Sequence, residues 1–207
     1  MKLKRIEAAL LCAVLVASLC SVTSFASSCA QIRESVLRLH VLANSDSDAD
    51  QALKLQVRDA VLEEGAHIFD GSLTAGEAEQ AIEQALPQLE RAARSEVMKR
   101  GYTYEVHITV SEEYFDTRTY EDEVTLPAGR YRAVRVIIGS GEGHNWWCVM
   151  YPNMCFSNTM YEVIDEDARS SLKRVLSEDE YQQVLASGDY QVKFKSFEIL
   201  KGLYDEK

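Results

Sequence analysis

The stretch GSGEGHNWWCVMYPNMCF, Gly139 to Phe156, constrains the fold of this chain more than any other. Gly139, Gly141 and Gly143 follow the apolar run VRVII, so a strand leaves its sheet there and turns through backbone conformations that a Cβ resists. WWCVMY then has the aromatic and β-branched character of a second strand, and Pro152-Asn153 turns the chain again before Cys155. The predicted order is strand, glycine loop, strand, tight turn. Successive strand residues point to opposite faces, so Trp146 and Trp147 cannot enter one core together. One of them is expected at an exposed or boundary position, where it either caps a sheet edge or anchors a partner. The second use makes Gly141, Gly143, Asn145, Trp146 and Trp147 the candidate partner-binding residues.

The N-terminus has a basic beginning, Lys2, Lys4 and Arg5, followed by an apolar run from Ile6 to Cys20. That run is shorter than the roughly 20 residues needed to span a bilayer, and Ser24-Phe25-Ala26 supplies small residues around a cleavage point. Residues 1–26 are therefore expected to be a signal peptide and 27–207 the mature domain, with an uncleaved anchor as the alternative. A lipobox is not supported: Leu19 precedes Cys20, and Ala26-Ser27-Ser28-Cys29 matches poorly.

Export places the remaining cysteines, Cys29, Cys148 and Cys155, in an oxidising compartment that favours pairing. Cys148 and Cys155 flank a turn, and a disulfide closing that small loop contributes roughly 2 to 3 kcal/mol in the chain-entropy model. Cys29 is then left outside any bridge. The competing uses are a metal site or a reactive thiol; zinc would need two further ligands, which no C-x-x-C or H-x-x-x-H spacing supplies, and no metal is expected.

Loss of residues 1–26 removes three of 22 basic and one of 33 acidic residues, leaving 19 against 32, a formal charge of −13. Such a surface repels nucleic acid and anionic lipid, and it also serves solubility. With 46% hydrophobic residues the remainder is sufficient for one well-packed domain.

Leu37, Leu39 and Val41 alternate with Arg38 and His40, a strand with one face inward. A helix follows, marked by the capping pattern Ser47-x-x-Asp50 and by Leu53, Val57, Ala60 and Val61, and Gly65 stops it. Asp46 to Asp50 resembles the start of an EF-hand loop, but Gln51 replaces the required glycine and Val57 the bidentate glutamate, so calcium is rejected. Thr74 to Glu77 is a capping box, and Ala78, Ile82, Leu89, Ala93 and Val97 continue one apolar stripe to Gly101. Pro87 interrupts it, predicting a kink or two consecutive helices. Tyr104, Val106, Ile108 and Val110 mark a half-buried strand, and SEEYFDTRTYEDEVTLPAG reads as a polar connection with edge-strand character. In RYRAVRVIIG, Val134, Val136 and Ile138 form one apolar face and Tyr131, Ala133 and Ile137 much of the other. Glu166 to Gly188 reads as two short helices, the second capped by Ser177-x-x-Glu180, and DYQVKFKSFEIL as a last strand with a bulge near Lys195-Ser196. Strand, helices, strands, helices, strand predicts a single α+β domain with a mixed sheet.

Catalysis finds little purchase. Of His40, His67, His107 and His144, only His144 lies near a thiol, Cys148, and residues four apart on a loop-to-strand segment need not meet. GSGEG lacks the lysine of a phosphate loop and the spacing of a dinucleotide fold, so no cofactor and no small-molecule substrate is implied. An acidic pair for sugar hydrolysis remains open among the many carboxylates, although nothing singles one out.

RLHVLANSDSDADQALKLQVRDAVL, TLPAGRYRAVRVIIGSGEGHNWWCVMYPNMCF and the N-terminal signal together resemble the stage II sporulation protein R family, over nearly all of the mature chain. The tract G-x-G-x-N-W-W-C-V-x-x-P-x-x-C-F carries most of that resemblance. It implies a non-enzymatic signalling protein, made in the forespore and exported into the space between forespore and mother cell. There it triggers a membrane-embedded aspartic protease, the expected partner, to process a sigma-factor precursor, pro-sigma-E. The chain departs from the pattern at Asn153, where a second proline is expected, which bears on the turn geometry. The rival readings are an exported peptidoglycan-modifying hydrolase and a structural envelope protein; release of muropeptides by purified protein separates the hydrolase from the signalling protein.

Overall fold

The computed structural model describes residues 2–68, 74–120, 124–152 and 166–185. It divides into two compact units, Met1–Gln31 with Asp189–Lys207, and Ile32–Gly188. Helix α1 (Lys2–Glu34, 33 residues) supplies the described part of the first. At 1.5 Å per residue it is about 50 Å long, and Ile6, Leu10, Leu15 and Leu19 on its successive turns are exposed. It is long and apolar enough to cross a membrane and lies where an export signal of the same character would lie. The apolar run read from the sequence is thus part of a longer helix: Ser24 to Ala26 are helical, and so are the residues onward to Glu34.

The second unit is built on a four-stranded mixed sheet. Its strands are β1 (Leu37–Leu42), β2 (Val106–Phe115), β5 (Gly129–Ile138) and β6 (Asn145–Tyr151), in the order β2-β5-β1-β6. β1 runs parallel to β5 and antiparallel to β6, while β2 runs antiparallel to β5. A separate ribbon pairs β3 (Arg118–Tyr120) with β4 (Val124–Leu126). The architecture is the expected α+β arrangement with a mixed sheet.

Helices α2 (Asp48–Ala66) and α3 (Ala75–Lys99) cover one face of the sheet. Leu53, Val57, Val61, Ile82, Leu89 and Val97 meet Leu37, Leu39, Val41, Val134, Val136 and Ile138 there, all fully or almost fully buried. Both helices start as their sequences require. The Ser47 hydroxyl accepts from the Asp50 amide at 3.2 Å, and Thr74 and Glu77 close both halves of a capping box. Pro87 sits inside an uninterrupted α3, which corrects the expectation of two consecutive helices. Its side chain and Glu83, four residues earlier, are both exposed. The carbonyl that loses its amide partner therefore faces water, while the buried stripe on the opposite side holds the helix in one piece.

The opposite face of the sheet is covered as well. Helices α4 (Glu166–Val175) and α5 (Glu178–Leu185), with the β3-β4 ribbon, enclose a second cluster that includes Val36, Phe115, Tyr131, Ala133, Val149, Leu172 and Val184. The Ser177 amide donates to the Glu180 carboxylate at 2.7 Å, the capping predicted for α5. Two covered faces explain why β5 is apolar on both sides. They also correct the reading of β1 as a strand with one inward face: all six of its residues are buried, Arg38 and His40 included. β2 likewise runs on through Ser111 to Phe115, taking in residues that read as a polar connection. The strand expected at Asp189 to Leu200 lies outside the described residues.

Candidate functional site

The glycine loop between β5 and β6 is tied down from both sides. The Gly139 amide donates to the Glu105 carbonyl at 2.8 Å and the Gly143 amide to the Ala43 carbonyl at 2.9 Å. Ser140 donates its amide to Asn44 Oδ1 at 3.0 Å and its hydroxyl to the Asn44 carbonyl at 2.6 Å. The His144 amide donates to Asp46 at 2.6 Å, and Lys54 of α2 reaches the His144 carbonyl at 2.9 Å. Gly141 has φ +67°, a left-handed conformation that favours glycine. Gly143 is required for space: a Cβ there would lie 2.3 Å from the Ser45 carbonyl oxygen. Of the predicted contact residues, Gly143 is buried, Gly141 half-buried and Asn145 exposed. The loop acts as a fixed mount for the start of β6.

The β1-α2 side of that mount depends on a carboxylate. Asp50, 4% exposed, accepts from the Ser45 hydroxyl at 2.5 Å and from Asn44 Nδ2 at 2.9 Å. The Ser45 bond first, then the Asn44 bond, with further help from Tyr104, hold its pKa below the ordinary carboxylate range. A depressed folded-state pKa gives stability that is present above the unfolded value and lost as pH falls through the folded one. We therefore expect the wild type to lose stability below about pH 4, and Asp50→Asn to be less stable at pH 7 but flatter through the acid limb. Equal acid slopes in chemical denaturation of the two proteins would remove Asp50 from that role.

On β6 the alternation separates the two indoles as the sequence requires, and both are half-buried. Trp146 packs against the α2-α3 cluster, with the Arg58 guanidinium 4.5 Å from its ring centroid. Trp147 lies on the other face. It stacks on His40, its register partner in β1, with ring centroids 3.6 Å apart and planes at 15°. Its edge contact with Phe115 is 4.8 Å between centroids. Such aromatic pairs contribute about 0.5–1.5 kcal/mol beyond the area they bury.

His40 joins this aromatic stack to a line of polar groups running across the sheet. Its Nδ1 is 2.6 Å from Glu113 Oε2 and its Nε2 is 3.0 Å from Asn145 Oδ1. Glu113 Oε1 accepts from Ser111 at 3.1 Å and pairs with Arg135 Nε at 3.4 Å. Residues from the three other strands of the sheet therefore hold one imidazole of β1 in place, so that Asn145 and Trp147 present a pre-set surface at the β6 edge.

Arg38, two residues before His40, is the most unusual group in the fold. It is fully buried and lies among aromatic rings, with its guanidinium carbon 4.1 Å from the Phe115 centroid and 5.1 Å from that of Tyr131. One terminal nitrogen donates to the Tyr120 hydroxyl. Nε and Nη1 have no acceptor among the described residues. Burial is the main effect on this group and lowers its pKa, with the Tyr120 and Tyr131 hydroxyls opposing. Arg38 also lines a cavity of about 170 Å³ together with Tyr114, Phe115, Asp116, Thr117, Arg118 and Trp147.

Sequence reading placed Trp147 and Asn145 in the site but missed Arg38, His40, Glu113 and the cavity. The signal that could have found them is β5: with both its faces apolar it must be covered twice, so polar residues on its neighbour β1 cannot all reach water. Cys148 is disulfide-bonded, whereas Cys12, Cys20 and Cys29 are thiols. Cys155, its expected partner, lies outside the described residues.

The family model for stage II sporulation protein R (spore_II_R) matches residues 33–161. Stage II sporulation protein R of Bacillus subtilis (strain 168) is 36% identical over 146 residues, covering 69% of this chain and 65% of that protein. The aligned part thus spans just under two thirds of the curated relative's length. No solved structure matches. The braced glycine loop, both tryptophans and the buried Arg38-His40 pair all fall within the matched residues, and this chain belongs to the stage II sporulation protein R family, with a role in sporulation.

Proposed function

We propose that this protein is an exported signal of endospore formation, acting between forespore and mother cell to trigger a membrane-embedded aspartic protease that processes pro-sigma-E. The observation that carries the reading is membership of the family, whose implied activity is signalling by contact. The β6 edge supports it. Asn145, Trp146 and Trp147 stand half-buried or exposed on a mount held by backbone bonds, so an anchor there loses little side-chain freedom on binding. The residues in contact with the protease are Asn145, Trp146 and Trp147, with Gly141 and Gly143 setting their position. Cys155 is the proposed partner of the bridge at Cys148.

The long apolar helix α1 fits export, and the mature protein begins near Ser27. N-terminal sequencing of the protein recovered from outside the producing cell checks this; a mature form that begins at Met1 replaces the secreted protein with an anchored one. The signalling role is tested by reconstituting the mature domain in vesicles with the protease and its precursor substrate. Processing that depends on the added domain is the expected result, and processing unchanged by its omission overturns the proposal.

A further inference from the structure

Strand β2 is an edge of the main sheet, paired with β5 alone, and only the start of its outer side is closed. The Gly139 amide donates to the Glu105 carbonyl, which fixes the alternation of bonded and non-bonded pairs along the antiparallel register. His107, Thr109, Ser111, Glu113 and Phe115 therefore turn their backbone groups toward β5, and Val106, Ile108, Val110, Glu112 and Tyr114 turn theirs away. Side chains of α3 satisfy the first of these. Arg94 donates from Nε and Nη2 to the Val106 carbonyl, each at 3.2 Å, and Glu90 accepts from the Ile108 amide at 3.2 Å. Further along, the amides and carbonyls of Val110, Glu112 and Tyr114 have no partner among the described residues. Tyr114 is 62% exposed, and outside α1 only Met98 among the described large apolar side chains is as bare.

Outward amides and carbonyls at every second residue, over about 17 Å from Val110 to Tyr114, match the main chain of one further strand. A second copy of this chain that used all three residues would set Glu112 opposite Glu112 across the twofold axis. Like charges would then be opposed, on chains that each carry a net charge of −11. The surroundings favour a cationic segment instead. Glu112 pairs with Arg130, Arg132 is shared between Glu79 and Glu83, and Asp116 is exposed just beyond Tyr114. We infer that β2 takes an extended, basic segment of another protein as a fifth strand along Val110 to Tyr114. This edge lies on the opposite side of the sheet from β6, so the inference goes beyond the contact proposed above and stands or falls separately from it.

The probe is the peptide acetyl-Thr-Val-Thr-Lys-Thr-Val-Thr-amide, whose lysine can lie opposite Glu112 with its valines against Val110 and Tyr114. Amide hydrogen exchange in the full-length protein is followed by NMR. Without peptide, the Val110, Glu112 and Tyr114 amides are expected to exchange about tenfold or more faster than those of Thr109, Ser111 and Glu113, which are bonded to β5. Peptide is expected to half-saturate the edge at about millimolar concentration, and at five times that concentration to slow the three outer amides about sixfold. N-methylation of its valines and lysine, whose amides would face β2, abolishes this slowing. N-methylation of its two inner threonines, whose amides face away, preserves it. Glutamate in place of the lysine weakens binding about fivefold or more, and Glu112→Lys in the protein reverses that preference. The inference is overturned by unchanged exchange of the three amides at saturating peptide, by equal binding of the valine-and-lysine-methylated peptide, or by equal binding of the glutamate peptide. Slow exchange of the three amides without peptide overturns it too, and a dependence of that slowing on protein concentration would assign the edge to a second copy.

Discussion

Gly143→Ala is expected to lower the thermal midpoint by about 2 to 12 °C. The added Cβ would meet the Ser45 carbonyl oxygen at 2.3 Å and the Ser45 carbonyl carbon at 2.5 Å, both of them backbone, and the Ala43 side chain at 2.9 Å. No flexible side-chain end can move aside, so either the loop lifts or the β1-α2 connection shifts. Lifting breaks the Gly143 to Ala43 bond and carries His144 away from Asp46 and Lys54. Overpacking of this kind costs about 1–3 kcal/mol, and each kcal/mol is worth about 2–4 °C in a domain of this size. Gly76→Ala is the control: its Cβ meets nothing within 4 Å, it lies in the first turn of α3, and it is expected to be neutral or mildly stabilising. Circular dichroism melts of the two variants settle the matter. Equal midpoints would mean that Gly143 is not the spacer described above.

Trp146→Ala is expected to lose processing while the domain stays folded, and Trp147→Ala to lose stability as well as processing. Trp147 is held by the His40 stack and the Phe115 edge contact and walls the Arg38 cavity. Deleting it exposes both aromatic partners and should cost about 2–3 kcal/mol, below the 3–5 kcal/mol of a fully buried indole because the site is half open. Trp146 leans on the α2-α3 cluster and under Arg58, and its loss should cost only about 1 kcal/mol. In the reconstituted system, however, a half-buried anchor worth about 2 kcal/mol or more in binding shifts the half-maximal concentration for precursor processing by about thirtyfold. The expected result is therefore a folded Trp146→Ala protein that signals poorly. If it folds and signals normally, the β6 edge is not the contact surface, and the acidic segment from Glu112 to Glu123 becomes the next surface to test. If activity in both variants falls only in proportion to stability, the tryptophans brace the sheet and do no more.

Features that depend on a few neighbouring residues were legible before any coordinates. The caps at Ser47, Thr74 and Ser177 were readable because a side chain three residues from its backbone partner needs no distant part of the chain. The opposite facing of Trp146 and Trp147 followed from the pleat alone. So did the two apolar faces of β5, which alternate within ten residues. Pro87 marks a limit of such local rules: its cost was readable, but the capacity of a buried stripe to hold α3 together across it was not.

The tertiary structure decided the fate of Arg38 and His40. Their strand alternates polar with apolar, as a half-exposed strand does, and whether the polar face meets water is set by what covers it. The cover comes from the β3-β4 ribbon and from α4 and α5, about 80 to 150 residues further along the chain. Once that layer is in place, Glu113 and Asn145 converge on one imidazole from opposite edges of the sheet, and a guanidinium is enclosed among aromatic rings. The chemistry of each residue was visible in the sequence. Burial, which turns those residues into a site, belongs to contacts between distant segments that no local pattern encodes.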